Sequence, residues 1–273
     1  MYSRVEEITP EIAAEYLTHN VTEGVQRNRR PTKNAIYRYA EDMKNGRWQL
    51  TPQGIAFFEN GNLADGQHRL KAIVAAGVPV QMNVTYDVPN DSTLFDRGVA
   101  RSLSDVLHMS GKDGEAYGKN GVAIANFLFG YDGHKNTSEG TKKVFIEDNA
   151  ELLATAISLC AKGAETAKCV CRKSPVYAAA FCALFCAVEV EPLARFFTVA
   201  NTGFADKDVE KSAIVLRNYL LQEYKTADNG YAFVMATNAI KDYANGIPRT
   251  KRYKANASPA FWGWTKKMID SYK

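Results

Sequence analysis

Apolar positions keep two different rhythms along this chain. Through residue 90, short runs with strand-like alternation are interleaved with helical spacings. "TPEIAAEYL" starts a helix, with Thr9 placed to cap it and Pro10 suited to its first position. In "TKNAIYRYAEDMKNGRW", Ile36, Tyr39, Ala40 and Met43 recur at helical spacing, and Asn45-Gly46 ends the run. "GIAFFENGNLADG" holds two short strand-like runs joined by Asn60-Gly61, a strong hairpin signal. "QHRLKAIVAAG" reads as a helix with Leu70, Ile73 and Val74 on one face and Gly77 at its end, and "VPVQMNVTYDVP" as a strand.

Beyond the glycine-rich "MSGKDGEAYGKNG" the pattern is helical almost throughout. The segments are "NGVAIANFLFGY", "SEGTKKVFIEDNAELLATAISLCAKG", "SPVYAAAFCALFCAVEVE", "DKDVEKSAIVLRNYLLQEYK", "YAFVMATNAIKDYANG" and "SPAFWGWTKKMIDSY". Start signals stand at Ser138, Ser174-Pro175, Asp206 and Ser258-Pro259. No repeat or low-complexity tract interrupts them. The pattern predicts an α+β fold, with a domain of strands and helices over residues 1–108 and an all-helical domain over 109–273.

Composition changes this picture little. The 273 residues are 46% hydrophobic and 23% charged, with a net charge of +4, values of an ordinary globular chain compatible with an anionic partner. No stretch reaches the roughly 18 apolar residues of a membrane span, and the N-terminal segment has no signal-peptide core. The expectation is a cytoplasmic protein with no membrane partner. Five cysteines, with no C-x-x-C pair and all four histidines upstream, read as buried small hydrophobes rather than a disulfide framework or a zinc site.

The chemistry concentrates in "NGNLADGQHRLKAI". A strand that turns at Gly66 into a helix presents backbone N–H groups at the positive end of the helix dipole, a place for phosphate or carboxylate. Arg69 on the first turn adds a planar fork for phosphate oxygens. His68 can donate to an anion or move a proton. Asp65 can orient His68, hold a metal ion or act as a base, and Gln67 can hold a base edge or a sugar hydroxyl. An architectural reading stands beside this one, in which Asp65 caps the helix, Gly66 permits the turn, and His68 and Arg69 are solvated.

Further candidates flank this stretch. In "FDRGVAR", Asp96 could join Asp65 at a metal and Arg101 could contact phosphate; two carboxylates completed by substrate phosphates suit Mg2+. "RNRRPTK" carries Arg27, Arg29, Arg30 and Lys33, and "PRTKRYK" carries Arg249, Lys251, Arg252 and Lys254 around Tyr253. Both suit nucleic-acid phosphates, the second with an aromatic ring for stacking, and both are equally well plain charged surface. "FWGWTKKM" reads as the last helix packing on the bundle, and "VANTGF" as a helix-ending turn.

These segments, in their order, resemble the ParB/sulfiredoxin superfamily, and more closely the phage ParB-like proteins that carry the same "DGQHRL" string. "NRRP" resembles the family's first basic box, "YAEDMKNGRWQ" the helix after it, "GIAFFENGNLADGQHRLKA" the hairpin leading into the second box, and "FDRGVARSLSDVL" the segment closing the core. The likeness covers roughly residues 5–107. It implies a small mixed sheet and a nucleotide-phosphate site for ATP or CTP, beside the Mg2+ that the carboxylates suggest. Asp65, Gly66, Gln67, His68 and Arg69 would form the phosphate turn, with Arg29 and Arg30 approaching from the first box. Gln67 stands where sulfiredoxin has its catalytic Cys, which argues against sulfinic-acid reduction, and no helix-turn-helix follows the core as in ParB. The resulting expectation is a nucleotide-binding protein linked to phosphoryl-transfer or phosphodiester chemistry, as a kinase, NTPase or nuclease. It would be encoded by a phage, act in the bacterial cytoplasm and meet DNA, with Asp65 and His68 as catalytic groups. The rivals are a nucleotide-gated DNA-binding module without catalysis and a phage protein that binds a host factor.

Overall fold

The computed structural model describes residues 1–21, 28, 31–89, 102–109, 114–164 and 169–272. The chain divides into two compact units, residues 1–100 with 136–141, and residues 101–135 with 142–273.

The first unit contains β1 (Tyr2–Ile8), α1 (Pro10–Thr18), α2 (Lys33–Lys44), β2 (Ile55–Phe58), β3 (Leu63–Asp65), α3 (Gln67–Ala76) and β4 (Val80–Val88). The strands form one mixed sheet in the order β1-β4-β2-β3. β1 lies antiparallel to β4, from Tyr2 opposite Tyr86 to Ile8 opposite Val80. β2 runs parallel to β4 and antiparallel to β3. Local chemistry accounts for the boundaries. Thr9 Oγ1 accepts the Ile12 N–H at 3.3 Å to start α1. The β2–β3 hairpin turns with Gly61 at φ 82°, and Asn60 Oδ1 accepts the Asn62 N–H at 3.0 Å.

Met82 and Val84 alternate along β4 into a core shared with Ile55, Phe57, Leu63, Leu70, Ile73, Ala40 and Met43. Val74 departs from expectation, since it is 44% exposed. The buried stripe of α3 runs through Leu70, Ile73 and Ala76, and Val74 lies more than a quarter turn round from Ile73. Segment 136–141 is fixed by α2: Ser138 N–H donates to Glu41 Oε2 at 3.1 Å and its hydroxyl to Asp42 Oδ1 at 2.7 Å. Ser138 Oγ in turn accepts the Thr141 N–H at 3.0 Å, so the start signal read at Ser138 is a cap.

The second unit is helical among its described residues: α4 (Leu103–Met109), α5 (Lys119–Tyr131), α6 (Glu139–Asp148, entered from the first unit), α7 (Ala150–Cys160), α8 (Ser174–Phe185), α9 (Val190–Thr202), α10 (Lys211–Gln222), α11 (Asn229–Ala244) and α12 (Trp262–Asp270). Every residue of α8 from 175 to 184 is buried, as befits a helix apolar on all faces. Leu103 and Leu107, expected to close the N-terminal core, are buried in this helical core. No helix of the described residues is long and apolar enough to cross a membrane.

Two helix boundaries differ from the sequence reading. The long run from Ser138 breaks at Asn149, whose side-chain amide donates to the Phe145 carbonyl at 2.9 Å and to Tyr272 Oη at 3.0 Å. α12 starts at Trp262 rather than at Ser258-Pro259, because Phe261 adopts left-handed backbone at φ 65°. The cysteines are free thiols, and burial pushes Cys182 up to about 12. Asn201, in the turn that Gly203 ends, is fully buried and holds the loop after α7. It donates to the carbonyls of Cys160 (3.0 Å) and Lys162 (2.8 Å) and accepts the N–H groups of Val170 (3.1 Å) and Cys171 (3.2 Å).

Asn201→Ala strands these backbone groups and should cost about 2–4 kcal/mol in urea unfolding. A pH dependence follows from Glu210, which the Arg195 guanidinium, donating at 2.7 Å, holds at about 2 against an ordinary 4.5. A depressed carboxyl stabilises the fold above its unfolded value and loses that contribution as pH falls through the folded value. Melting of the wild type should therefore fall between pH 4.5 and 2, and Glu210→Gln should be less stable at neutral pH with a shallower acid limb.

Candidate functional site

β3 ends at Asp65, α3 begins at Gln67, and Gly66 joins them at φ 105°. That angle suits glycine, and so does the neighbour: a Cβ on Gly66 would lie 3.0 Å from Ile55 Cα. Gly54 makes a second close approach just before β2, where a Cβ would lie 1.6 Å from the Asn83 carbonyl oxygen on β4. Its own carbonyl accepts Arg69 Nη1 at 2.6 Å. The corner is thus tied across β2, α3 and β4.

The side chains of the stretch take up distinct positions around this corner. Asp65 Oδ1 accepts the Gly66 N–H at 2.7 Å, and Oδ2 lies 3.5 Å from Arg69 Nη1. The Asp65 side chain is 52% exposed and that of Arg69 only 17%. His68 Nε2 accepts the Thr32 N–H at 3.0 Å, so that nitrogen carries no proton in this arrangement. Gln67 is buried on the same face as Leu70. Asn28, the first residue of the "NRRP" box, donates to Asn20 Oδ1 at 2.9 Å and to the Leu63 carbonyl at 2.7 Å, which ties Asn28 to β3.

Among the described residues, the N-cap of α3, Gly66, makes no side-chain cap bond. Its first turn therefore presents backbone N–H groups and the positive end of the dipole to an anion, one turn from the Arg69 guanidinium. Asp65 works against a bare anion at the same corner, but its half-exposed carboxylate is a hard oxygen donor. It fits Mg2+ if phosphate oxygens and water complete the shell.

The structure thus brings together Asp65, Gly66, Gln67, His68 and Arg69. Arg27, Arg29, Arg30, Asp96 and Arg101 lie outside the described residues. Lys33 is exposed at the start of α2. In "PRTKRYK" the expected stacking ring is withdrawn: Tyr253 is buried, its hydroxyl donates to Asp242 Oδ2 at 2.5 Å, and Arg249 covers its ring at 4.5 Å. Arg252 pairs with Glu223, while Lys251 and Lys254 are exposed. Trp262 packs edge-on against Tyr131, whereas Trp264 is largely exposed.

One cluster of three potential metal ligands occurs among the described residues, Asp132, His134 and Asp270. Lys266 Nζ sits 2.5 Å from Asp132 and 3.5 Å from Asp270, so an ammonium group already stands between the two carboxylates. Sequence reading missed Gly54 and Thr32 as parts of the corner. A lone glycine ahead of a strand-like run was the available sign of the first; nothing local marks the second.

Comparison with protein-family models, curated proteins and solved structures finds no match to this chain.

The corner can be probed against a matched glycine. Gly61 has the same left-handed sign, at φ 82°, but open space where its Cβ would stand. Gly61→Ala should cost about 1 kcal/mol from backbone strain, and Gly66→Ala about 1–3 kcal/mol because strain and contact combine. Urea denaturation of both variants measures the difference.

Proposed function

We propose that the β3–Gly66–α3 corner binds the phosphates of a nucleotide, ATP or CTP, in a protein of phage DNA metabolism. The observation that carries this reading is the uncapped first turn of α3 behind a left-handed glycine. The resemblance of the surrounding segments to phage ParB-like proteins points the same way. Backbone N–H groups of the first turn hold phosphate oxygens, Arg69 adds positive charge from within the helix, and Arg29 and Arg30 belong to the basic box that would approach from the other side. Asp65 serves as the base or as the carboxylate that holds Mg2+ against the phosphates. Phosphoryl or phosphodiester chemistry needs little beyond such positioning and charge. Exposed Lys33, Lys251 and Lys254 suit contacts to a DNA backbone.

A second reading is a nucleotide-gated module without catalysis. It is favoured by what His68 and Arg69 do in the fold, since His68 Nε2 takes the Thr32 N–H and Arg69 holds the Gly54 carbonyl. Thermal-shift titration with nucleotides, with and without Mg2+, tests the common claim. Ligand at a hundred times its dissociation constant stabilises the folded state by roughly 2.7 kcal/mol, so a clear shift is expected for ATP or CTP, and no shift with any nucleotide contradicts the proposal. Asp65→Ala then separates the two readings. An enzyme loses NTP turnover or DNA nicking and keeps binding, whereas a switch shows no turnover in the wild type and alters its DNA affinity on binding nucleotide.

A further inference from the structure

The two edges of the sheet are finished differently. β3, at one edge, is three residues long and tied down: the Leu63 N–H donates to the His19 carbonyl at 2.8 Å, and the Leu63 carbonyl accepts Asn28 Nδ2 at 2.7 Å. β1, at the other edge, is seven residues long. Its inner side pairs with β4 from Tyr2 to Ile8. Among the described residues no backbone group bonds to its outer side. Alternate residues of β1 therefore turn an N–H and a carbonyl outward, an arrangement that accepts another strand. Tyr2 and Val5 add large apolar side chains to this edge, each 53% exposed.

The sequence of the edge says which strand fits it. In YSRVEEI, Arg4 and Glu6 stand symmetrically about Val5. A second copy related by a two-fold axis normal to the sheet runs antiparallel, and opposed side chains then share a face. With the axis at Val5, Arg4 of each copy stands opposite Glu6 of the other, Ser3 opposite Glu7, and Val5 opposite Val5. Moving the axis by one residue sets Arg4 against Arg4 or Glu6 against Glu6, which costs stability.

The two charged groups have bonding capacity left for this. Arg4, with a 61% exposed side chain, donates through Nε to Glu6 Oε1 at 2.6 Å within its own chain. Its two Nη groups remain as donors for a second carboxylate. Glu6 Oε1 also accepts the Tyr86 hydroxyl at 2.6 Å, while Oε2 accepts only the Tyr16 hydroxyl, at 3.0 Å. Oε2 can take one more donor. On the opposite face of β1, the two Val5 side chains would meet at roughly the 5 Å Cβ spacing of opposed strand residues.

We infer that β1 is a self-association edge. Two copies of the chain join antiparallel through β1, centred on Val5, and their two four-stranded sheets become one. Two reciprocal Arg4–Glu6 pairs fix the register. The Gly66 corner lies at the β3 edge, on the far side of the sheet, so this inference stands independently of nucleotide binding.

Sedimentation equilibrium of the full chain tests it. A reversible dimer is expected at chain concentrations of about 100 μM, and a chain that stays monomeric there overturns the inference. Val5→Lys sets two ammonium groups against each other on an exposed face, and Arg4→Glu sets carboxylates against Glu6. Each should weaken the dimer roughly tenfold or more, with an unfolding midpoint close to wild type for Val5→Lys. Dimer affinity that survives Val5→Lys overturns β1 as the interface. The register is read by cross-linking in oxidised glutathione, with wild type as the background for the native thiols. Val5→Cys should link two copies faster than Ser3→Cys, because Ser3 faces Glu7 of the second copy. Equal or slower linking of Val5→Cys overturns the register.

Discussion

Gly66 is the point at which β3 must stop, turn and become a helix while its Cα lies against Ile55 on the neighbouring strand. A side chain here would be strained by the left-handed angle and crowded against Ile55 at that distance. The rest of the first unit is arranged around this corner. Arg69, on the first turn of α3, reaches the Gly54 carbonyl, and Gly54 in turn lies against Asn83 of β4. One turn thereby sets the start of β2, the direction of α3 and the parallel run of β2 beside β4. The apolar stripe of α3 then has a fixed surface to cover, and α1 and α2 pack against it.

The same corner divides labour between side chain and backbone. Asp65, His68 and Arg69 all spend hydrogen bonds on the fold, on Gly66, Thr32 and Gly54 respectively. At the start of α3 the N-cap Gly66 makes no side-chain cap bond. A glycine N-cap brings no side-chain oxygen to compete for the N–H groups there. A polar cluster that suggests several catalytic groups therefore also serves as the frame that fixes the strand-to-helix corner. Asp65 is the exception, half exposed and able to meet a cation.

Much of the first unit was legible because its signals are local. Asn60-Gly61, Thr9-Pro10 and Gly77 each mark a boundary through their own backbone chemistry, and the 3.6-residue and two-residue rhythms separate α3 from β4. Positions set by distant partners were not legible. Asn149 breaks a continuous helical pattern through its bond to Tyr272, 123 residues away. His68 is oriented by Thr32, 36 residues away. Asn201 looked like part of a helix end, and its role rests on a loop that folds back onto it. Tyr253 showed the reverse error, since an aromatic among cations suggests stacking on bases, yet Asp242 and Arg249 engage it. The residues of the corner were thus readable, while the contacts each one makes depended on tertiary partners. The charged boxes around it, Arg29 with Arg30 and Asp96 with Arg101, lie outside the described residues.

Backbone amide shifts test the central claim most directly. In a ¹⁵N-labelled chain titrated with ATP or CTP in the presence of Mg2+, the amides of Gly66, Gln67, His68 and Arg69 should move most, with saturation at a single dissociation constant. Nucleotide binding that leaves those four amides in place, or no amide response to either nucleotide, would contradict it.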